Sequence, residues 1–452
     1  MNSTNPLAGV SGPARLGPIR LSPGVRPRHA AALFYSATFM MVMINVVVLL
    51  NPYLLHQHLG MPTEVQGNFT GNLTVLLEII VFALVVPLGG LSDRIGRRPI
   101  FVAAFLFFAA GLVLMPFATT PVEYVLTRCL TATGAACGVT MVSAVLADYP
   151  DNRDRGKMIS LNGIFVGLGL VLIASFGFAQ LPEILASRGY SGIDAGIYTF
   201  ALAALLSLVS ALVAHFGLKG RDATADKQTR ESFSQQLQVG FAAIRGNPRL
   251  RLGAVATFVS RGDLTVLAGF FTLWLVALGT DRGLQVADAQ GLAGRLFGIS
   301  QLAMLLFIPV MGFIVDRFDR TTALIVAMAV ATVGYGALGI VPNPLESPLI
   351  YPVALLAGAG EAGVIVTAPA LVGQEAPARL RGSVIGFMAL VGALGVLINV
   401  KVAGVLFDTW MYQGPFLWMA GLNAVVLCWA VYVRLRYGTS ASGVQVEADS
   451  TS

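Results

Sequence analysis

Charge is scarce in this chain of 452 residues: Asp, Glu, Lys and Arg together make up 12%, about half of the ~25% usual in soluble domains. That shortage excludes a molecule wetted on all sides. Cysteine is nearly absent as well, and Cys129, Cys137 and Cys428 lie far apart inside apolar stretches. They read as small apolar packers, with no disulfide framework and no metal-ligand spacing. The four histidines, His29, His56, His58 and His215, are scattered over tails, an outer loop and a helix end. No nucleophile-base set or ligand cluster forms from them, so neither an enzyme nor a metal or cofactor site is expected. Alternation of apolar and polar residues over about ten positions, the mark of a membrane β-barrel, is also missing.

What remains is long apolar sequence. Apolar residues make up 56% of the chain and the mean hydropathy is +0.76. A helix crosses ~30 Å of hydrocarbon in about 20 residues, and twelve stretches meet that length, near 30–54, 72–93, 98–117, 122–147, 157–180, 195–218, 250–278, 294–316, 321–341, 349–374, 383–407 and 412–436. Lys and Arg gather in cytoplasmic loops. Of 29, 23 fall in the tails and in alternate loops, which places both termini in the cytoplasm of a multi-pass protein of the inner or plasma membrane. The pI of about 9.4 then reflects the anionic inner leaflet rather than nucleic acid.

Residues 1–29 lack an apolar core with a small-residue cleavage site and read as a disordered cytoplasmic tail. The polar stretch 219–249 reads as a cytoplasmic linker in which Phe233 to Ile244 can lie as a helix on the membrane surface. Residues 437–452 read as a second disordered tail. Asn68-Phe69-Thr70 and Asn72-Leu73-Thr74 match a glycosylation pattern that is frequent by chance.

One phrase occurs twice. Gly89-Gly90-Leu91-Ser92-Asp93-Arg94-Ile95-Gly96-Arg97-Arg98 follows the second stretch, and Gly312-Phe313-Ile314-Val315-Asp316-Arg317-Phe318-Asp319-Arg320 follows the eighth, with the aspartates 223 residues apart. Asp154-Arg155-Gly156-Lys157 and Arg379-Leu380-Arg381-Gly382 repeat at a spacing of 226. A fixed period near half the chain means a duplicated unit, as in secondary transporters. Asp93 would sit at the negative end of a helix dipole and needs compensation. The start of helix 11 after Arg381 can supply it, and by symmetry Asp316 would face the start of helix 5 after Arg155.

The pattern Gly-x-Leu-x-Asp-Arg-x-Gly-Arg-Arg resembles the signature loop of the major facilitator superfamily, with matches at Gly89, Leu91, Asp93, Arg94, Gly96, Arg97 and Arg98. The second copy keeps Gly312, Asp316, Arg317 and Arg320 but has Asp319 in place of Gly96. This resemblance covers roughly residues 30 to 436. It implies an all-α membrane protein with twelve transmembrane helices in two pseudo-symmetric six-helix bundles, 30–218 and 250–436. The implied activity is secondary active transport of a small organic solute by alternating access, coupled to protons, with a monomer as the working unit. The loop would stabilise the outward-open state. Alternatives are a drug or metabolite efflux pump of the same fold and a non-transporting receptor or assembly factor. Residues Ile164 to Leu170 lack the proline of the drug-proton antiporter motif. Arg128 is followed by glycine six residues on, at Gly134, where proton-coupled members have it four on.

Charges at mid-bilayer cost about 2.5–3.5 kcal/mol on insertion scales and are functional candidates by default. Here they are Glu78, Arg128, Arg261, Asp263, Glu361 and Lys401, all on helices that the family architecture puts at or beside the central cavity. Loop alignment sets Glu78 opposite Gln301, while Glu361 faces Ala135 and belongs to the second half alone. Arg261 and Asp263, two residues apart, point about 200° from each other, so one can line the path while the other pairs within the bundle. Glu361 can bind a proton or substrate, or its small neighbours can serve packing only. Glu78 and Arg128 can form a salt bridge, and Lys401 can snorkel to the outer surface. Tyr35, Asn45, Asn51, Tyr53, Asn162, Tyr335 and Asn399 complete the polar candidates. Arg261 suits a carboxylate-bearing substrate.

Overall fold

A computed structural model describes residues 14–220 and 233–438. Twelve helices among them are long and apolar enough to cross a membrane. Spans 1 to 6 are Pro27–Gln57, Thr63–Ile95, Arg97–Phe117, Pro121–Asp148, Asn152–Ser187 and Gly192–Gly217. Spans 7 to 12 are Pro248–Asp281, Val286–Arg317, Arg320–Ile340, Ile350–Glu375, Ala378–Thr409 and Gly414–Tyr437. Residues 1–13, 221–232 and 439–452, which include parts of the expected tails and linker, lie outside the described residues.

Local chemistry sets the helix starts. Thr120 and Glu123 make a reciprocal capping box before span 4, and the Asn247 side-chain Oδ1 accepts from the N–H of Arg249 at 2.9 Å before span 7. Each such cap satisfies donors that a helix start leaves open. The duplication extends to backbone irregularities: Pro87 lies inside span 2 and Pro309 inside span 8, each removing one helix hydrogen bond just before a repeated loop. Span 5 carries a π-helical segment at Leu170–Ser175, where the Ser175 hydroxyl donates to the Leu170 carbonyl at 3.0 Å. Small residues bring helices close: a Cβ on Gly134 would meet the Ala104 carbonyl at 2.8 Å, and one on Gly334 the Leu356 carbonyl at 2.7 Å.

Among the described residues the two halves pack together mainly at one end. On the side away from the repeated loops, here the far side, span 2 packs on span 11 through Gly67, Gly71 and Gly404, and span 5 packs on span 8 through Gly294 and Gly298. On the loop side, a Cβ on Gly89, Gly90, Gly156, Gly163, Gly312 or Gly382 would meet nothing within 4 Å. Between Thr74 and Leu91, five turns of span 2, no residue is buried. The conformation is closed on the far side and open on the loop side.

Two sequence expectations change. Residues 14–26, assigned to a disordered tail, include an antiparallel hairpin in which β1, Arg15–Leu16, pairs with β2, Ile19–Arg20. Ile19 and Leu21 are buried, and Gly17 takes the positive φ of 56° that the turn needs. Residues Phe233–Gly246 are helical, yet this helix does not lie free: a Cβ on Gly240 would meet the Ser383 carbonyl at 2.5 Å, and the Phe241 and Phe387 rings are 5.7 Å apart. It packs on the first turns of span 11.

Candidate functional site

Arg261 and Asp263 leave span 7 in opposite directions. Asp263 is 1% exposed, and its carboxylate accepts from Asn423 Nδ2 of span 12 at 2.9 and 3.1 Å. Its backbone carbonyl accepts from the Tyr335 hydroxyl of span 9 at 3.0 Å. Asp263 therefore points into the second bundle and does not line a path between the halves. Arg261 is exposed, rests its stem against Gly392 of span 11, and lies within Coulombic reach of Glu78 in the first half. Of the two, Arg261 faces the gap.

Glu361 is also 1% exposed and accepts from Gln301 Nε2 of span 8 at 3.4 Å. Its small neighbours do pack: Gly358 sits on the Ser300 carbonyl, Gly360 on Ala331 and Gly363 on Ala327. Asp263 and Glu361 lie within Coulombic reach of each other. Among the described residues no Lys, Arg or His comes within 4.0 Å of either carboxylate. Leaving a buried carboxylate charged and unpaired costs several kcal/mol. The arrangement can hold a proton or another small cation between spans 7, 8, 10 and 12. Asn423 escaped the sequence reading, and its only signal was an amide inside an apolar span.

The expected salt bridge between Glu78 and Arg128 is absent. Arg128 is 6% exposed, and Nη1 donates to the Val47 carbonyl, Asn51 Oδ1 and the Tyr124 hydroxyl, each at 3.3 Å. Tyr124 in turn donates to Asn51 at 2.7 Å. The charge ties spans 1 and 4 together through neutral acceptors. The other polar candidates are held locally as well: Tyr53 donates to the Gly192 carbonyl, Asn45 to Met41 at 3.0 Å, and Asn399 to Gly395 at 2.8 Å while accepting from Trp418 at 2.9 Å. Tyr35 stacks on Phe39. Asn162 is 8% exposed with its Oδ1 unpartnered.

The far-side closure is charged. The Asp408 carboxylate of span 11 accepts from the backbone N–H groups of Gly67 and Asn68 at 2.8 and 2.7 Å. Lys401 Nζ donates to Asn68 and Asn72 at 2.8 and 2.7 Å, so it crosses to the other half instead of snorkelling outward, and both glycosylation tripeptides are engaged in the closure. On the opposite flank Arg295 of span 8 pairs with Glu183 at 2.6 Å and with Gln180 at 3.0 Å. Gln290 donates to the Leu49 carbonyl of span 1 at 3.0 Å. Asp408, Glu183 and Arg295 were passed over because they sit at span ends, where charge is ordinary.

The profile described as Major Facilitator Superfamily matches residues 32–400. The chain belongs to the major facilitator superfamily. It is 28% identical over 433 residues to the magnetosome protein MamH of Paramagnetospirillum magneticum, covering 94% of this chain and 97% of the relative. It is 26% identical over 381 residues to the class C tetracycline resistance protein of Escherichia coli, covering 79% and 85%. Among solved structures, the D323A mutant of the nucleoside transporter NupG aligns with a TM-score of 0.72 at 16% identity, over 89% of this chain and 99% of that one. That likeness bears on the twelve-helix fold.

In this major facilitator protein the signature loops are folded onto their own halves. Arg97 joins the Asp93 carboxylate at 2.7 Å and Asp148 of span 4 at 3.2 Å, and it also donates to Ser92. Arg155 Nε donates to the Ala147 carbonyl at 3.1 Å. In the second copy Arg320 donates to the Val315 carbonyl. Gly382, beside Arg381 at the start of span 11, meets open space, and so does Gly156 beside Arg155. The expected cross-half contacts of Asp93 and Asp316 with those helix starts therefore do not hold this conformation together. The mismatch between copies also has a cause. Gly96 adopts φ 98°, a conformation reserved for glycine, whereas Asp319 caps span 9 by accepting from the Thr321 N–H at 3.1 Å. Arg94, Arg98 and Arg317 stand on the same loop side, and among the described residues none of them has a carboxylate within 4.0 Å.

Proposed function

We propose that this chain is a secondary active transporter that moves a small organic solute by alternating access, coupled to protons, and that it acts as a monomer. The observation that carries this reading is Glu361, fully buried beside Asp263 with no cation within 4.0 Å among the described residues. A carboxyl group in that setting exchanges a proton when a conformational change alters its surroundings. The loop side is taken as cytoplasmic because Lys and Arg gather there, which makes the present conformation inward-open and both termini cytoplasmic.

Arg261 is the substrate contact best suited to an anionic group. It is exposed in the gap, and Glu78 of the other half lies within its Coulombic reach. A carboxylate-bearing or amphipathic organic molecule fits that single cation better than a polyanion. The competing reading is a drug or metabolite efflux pump of the same fold, for which the likeness to a protein named for tetracycline resistance is the support. The MamH likeness over nearly the whole chain supports a second membrane, that of the magnetosome, as the site of action. A tagged protein in a magnetosome-forming host, fractionated between cytoplasmic and magnetosome membranes, decides the location.

The test of the central reading is Glu361→Gln in proteoliposomes, with a solute identified by thermal stabilisation across a metabolite library. Loss of proton-driven accumulation with counterflow retained supports it. Undiminished uphill transport contradicts it.

A further inference from the structure

We propose that the cleft between the N-terminal hairpin and the loop joining spans 4 and 5 is a binding site for a phosphate-bearing anion. The cleft measures about 340 Å³ and is lined by Arg15, Pro18, Arg20, Arg153, Asp154 and Lys157. It lies on the loop side, at the start of span 5.

The walls are built. The Asp151 N–H donates to the Arg20 carbonyl at 2.9 Å, the Ser22 N–H to the Tyr149 carbonyl at 2.8 Å, and Leu21 bridges to Pro150. The Ser22 hydroxyl donates to the Pro150 carbonyl at 3.0 Å, and the Lys219 N–H donates to the Tyr149 hydroxyl at 2.9 Å. Burial of Ile19 and Leu21 anchors the hairpin from beneath. Its arginines are thus carried on backbone fixed to the span 4–5 loop.

The charge does not balance. Among the described residues Asp154 is the one carboxylate lining the cleft, and it already accepts from Lys157 at 2.7 Å and from the Arg20 N–H at 2.9 Å. The guanidinium groups of Arg15, Arg20 and Arg153 have no carboxylate within 4.0 Å among the described residues. Arg15, Arg20 and Arg153 are exposed and solvent screens their mutual repulsion, so an entering anion adds attraction to all three at once. Guanidinium forks match phosphate oxygens in bidentate geometry, and the volume admits a phosphodiester or diphosphate. The source is either an anionic lipid headgroup of the adjacent leaflet or a soluble phosphate compound.

The full-length protein tests this in two arms. In nanodiscs of phosphatidylcholine with phosphatidylglycerol, native mass spectrometry counts retained phosphatidylglycerol. In delipidated detergent solution, the melting temperature is followed against inorganic pyrophosphate. The variant Arg15→Gln/Arg20→Gln/Arg153→Gln is compared with Arg245→Gln/Arg379→Gln/Arg436→Gln, which removes the same charge from exposed positions elsewhere on the loop side. We expect the cleft variant to weaken binding on the order of tenfold or more, since each cation near an anionic surface contributes appreciably, while the other triple variant changes little. Response in the first arm alone assigns the site to lipid, and in the second alone to a soluble ligand. Single Arg153→Gln, expected to weaken binding about threefold, keeps the test open should the triple variant misfold. Equal loss in both triple variants, or no binding by the wild type in either arm, overturns the proposal.

Discussion

At the scale of residues, direction decided more than identity. Arg261 and Asp263 were both visible as rare charges in span 7, but which one faces the gap depended on Asn423 and Tyr335, partners on spans that no local pattern connects. Arg261→Ala should therefore weaken anionic substrates by about tenfold relative to neutral analogues, measured as competition in proteoliposome uptake. Equal loss for both kinds would refute an anion contact. His58 offers a check on stability. Burial holds its imidazole below the ordinary 6.5, while its Nδ1 meets the Pro116 carbonyl at 2.8 Å. A lowered native value means that the unfolded chain takes up the proton first, so the His58 contribution is whole above pH 6.5 and is lost as pH falls toward the native value. Melting temperatures from pH 7.5 to 5 should drop more steeply for the wild type than for His58→Gln. Parallel curves would show that this histidine does not contribute.

At the scale of elements, the spans were legible because twenty apolar residues in a row have one use in a protein of this composition. The repeated loops were legible because duplication writes the same phrase twice. The hairpin at 15–20 was not legible: its strands are two residues each, too short for alternation to register, and its order comes from Tyr149, Pro150 and Asp151, more than a hundred residues away. The far-side closure was hidden for a related reason. Asp408 and Lys401 gain meaning only when span 11 lies against span 2. Hydrogen bonds to a charged group contribute about 1.5–3 kcal/mol, so Asp408→Ala should shift the balance away from the far-side-closed state by roughly tenfold. Accessibility to a membrane-impermeant thiol reagent at a cysteine placed at Val400, buried where span 11 packs on Gly71 of span 2, would report it. Unchanged labelling would show that the closure rests on glycine packing alone.

At the scale of the whole molecule, two gates emerge with different designs. The far-side gate is closed by side chains that cross between halves, Asp408 and Lys401 on one flank and Arg295 on the other. The loop-side gate is open, and its charged residues are turned onto their own halves, as Arg97 with Asp93 and Asp148. A carrier needs the exchange of these two sets. On the proposed alternating-access reading, the cross-half partners expected for Asp93 and Asp316 would meet in the opposite conformation, in which the far-side contacts are broken. Sequence could name the loop residues but not the state in which they meet. The most direct measurement is pulsed electron spin resonance on two label pairs in lipid nanodiscs, Gly156 with Gly312 on the loop side and Tyr190 with Leu284 on the far side. The account predicts two distance populations in each pair, long on one side whenever short on the other, with Asp93→Asn enriching the loop-side-open population. A single loop-side distance that neither substrate nor Asp93→Asn changes would contradict it.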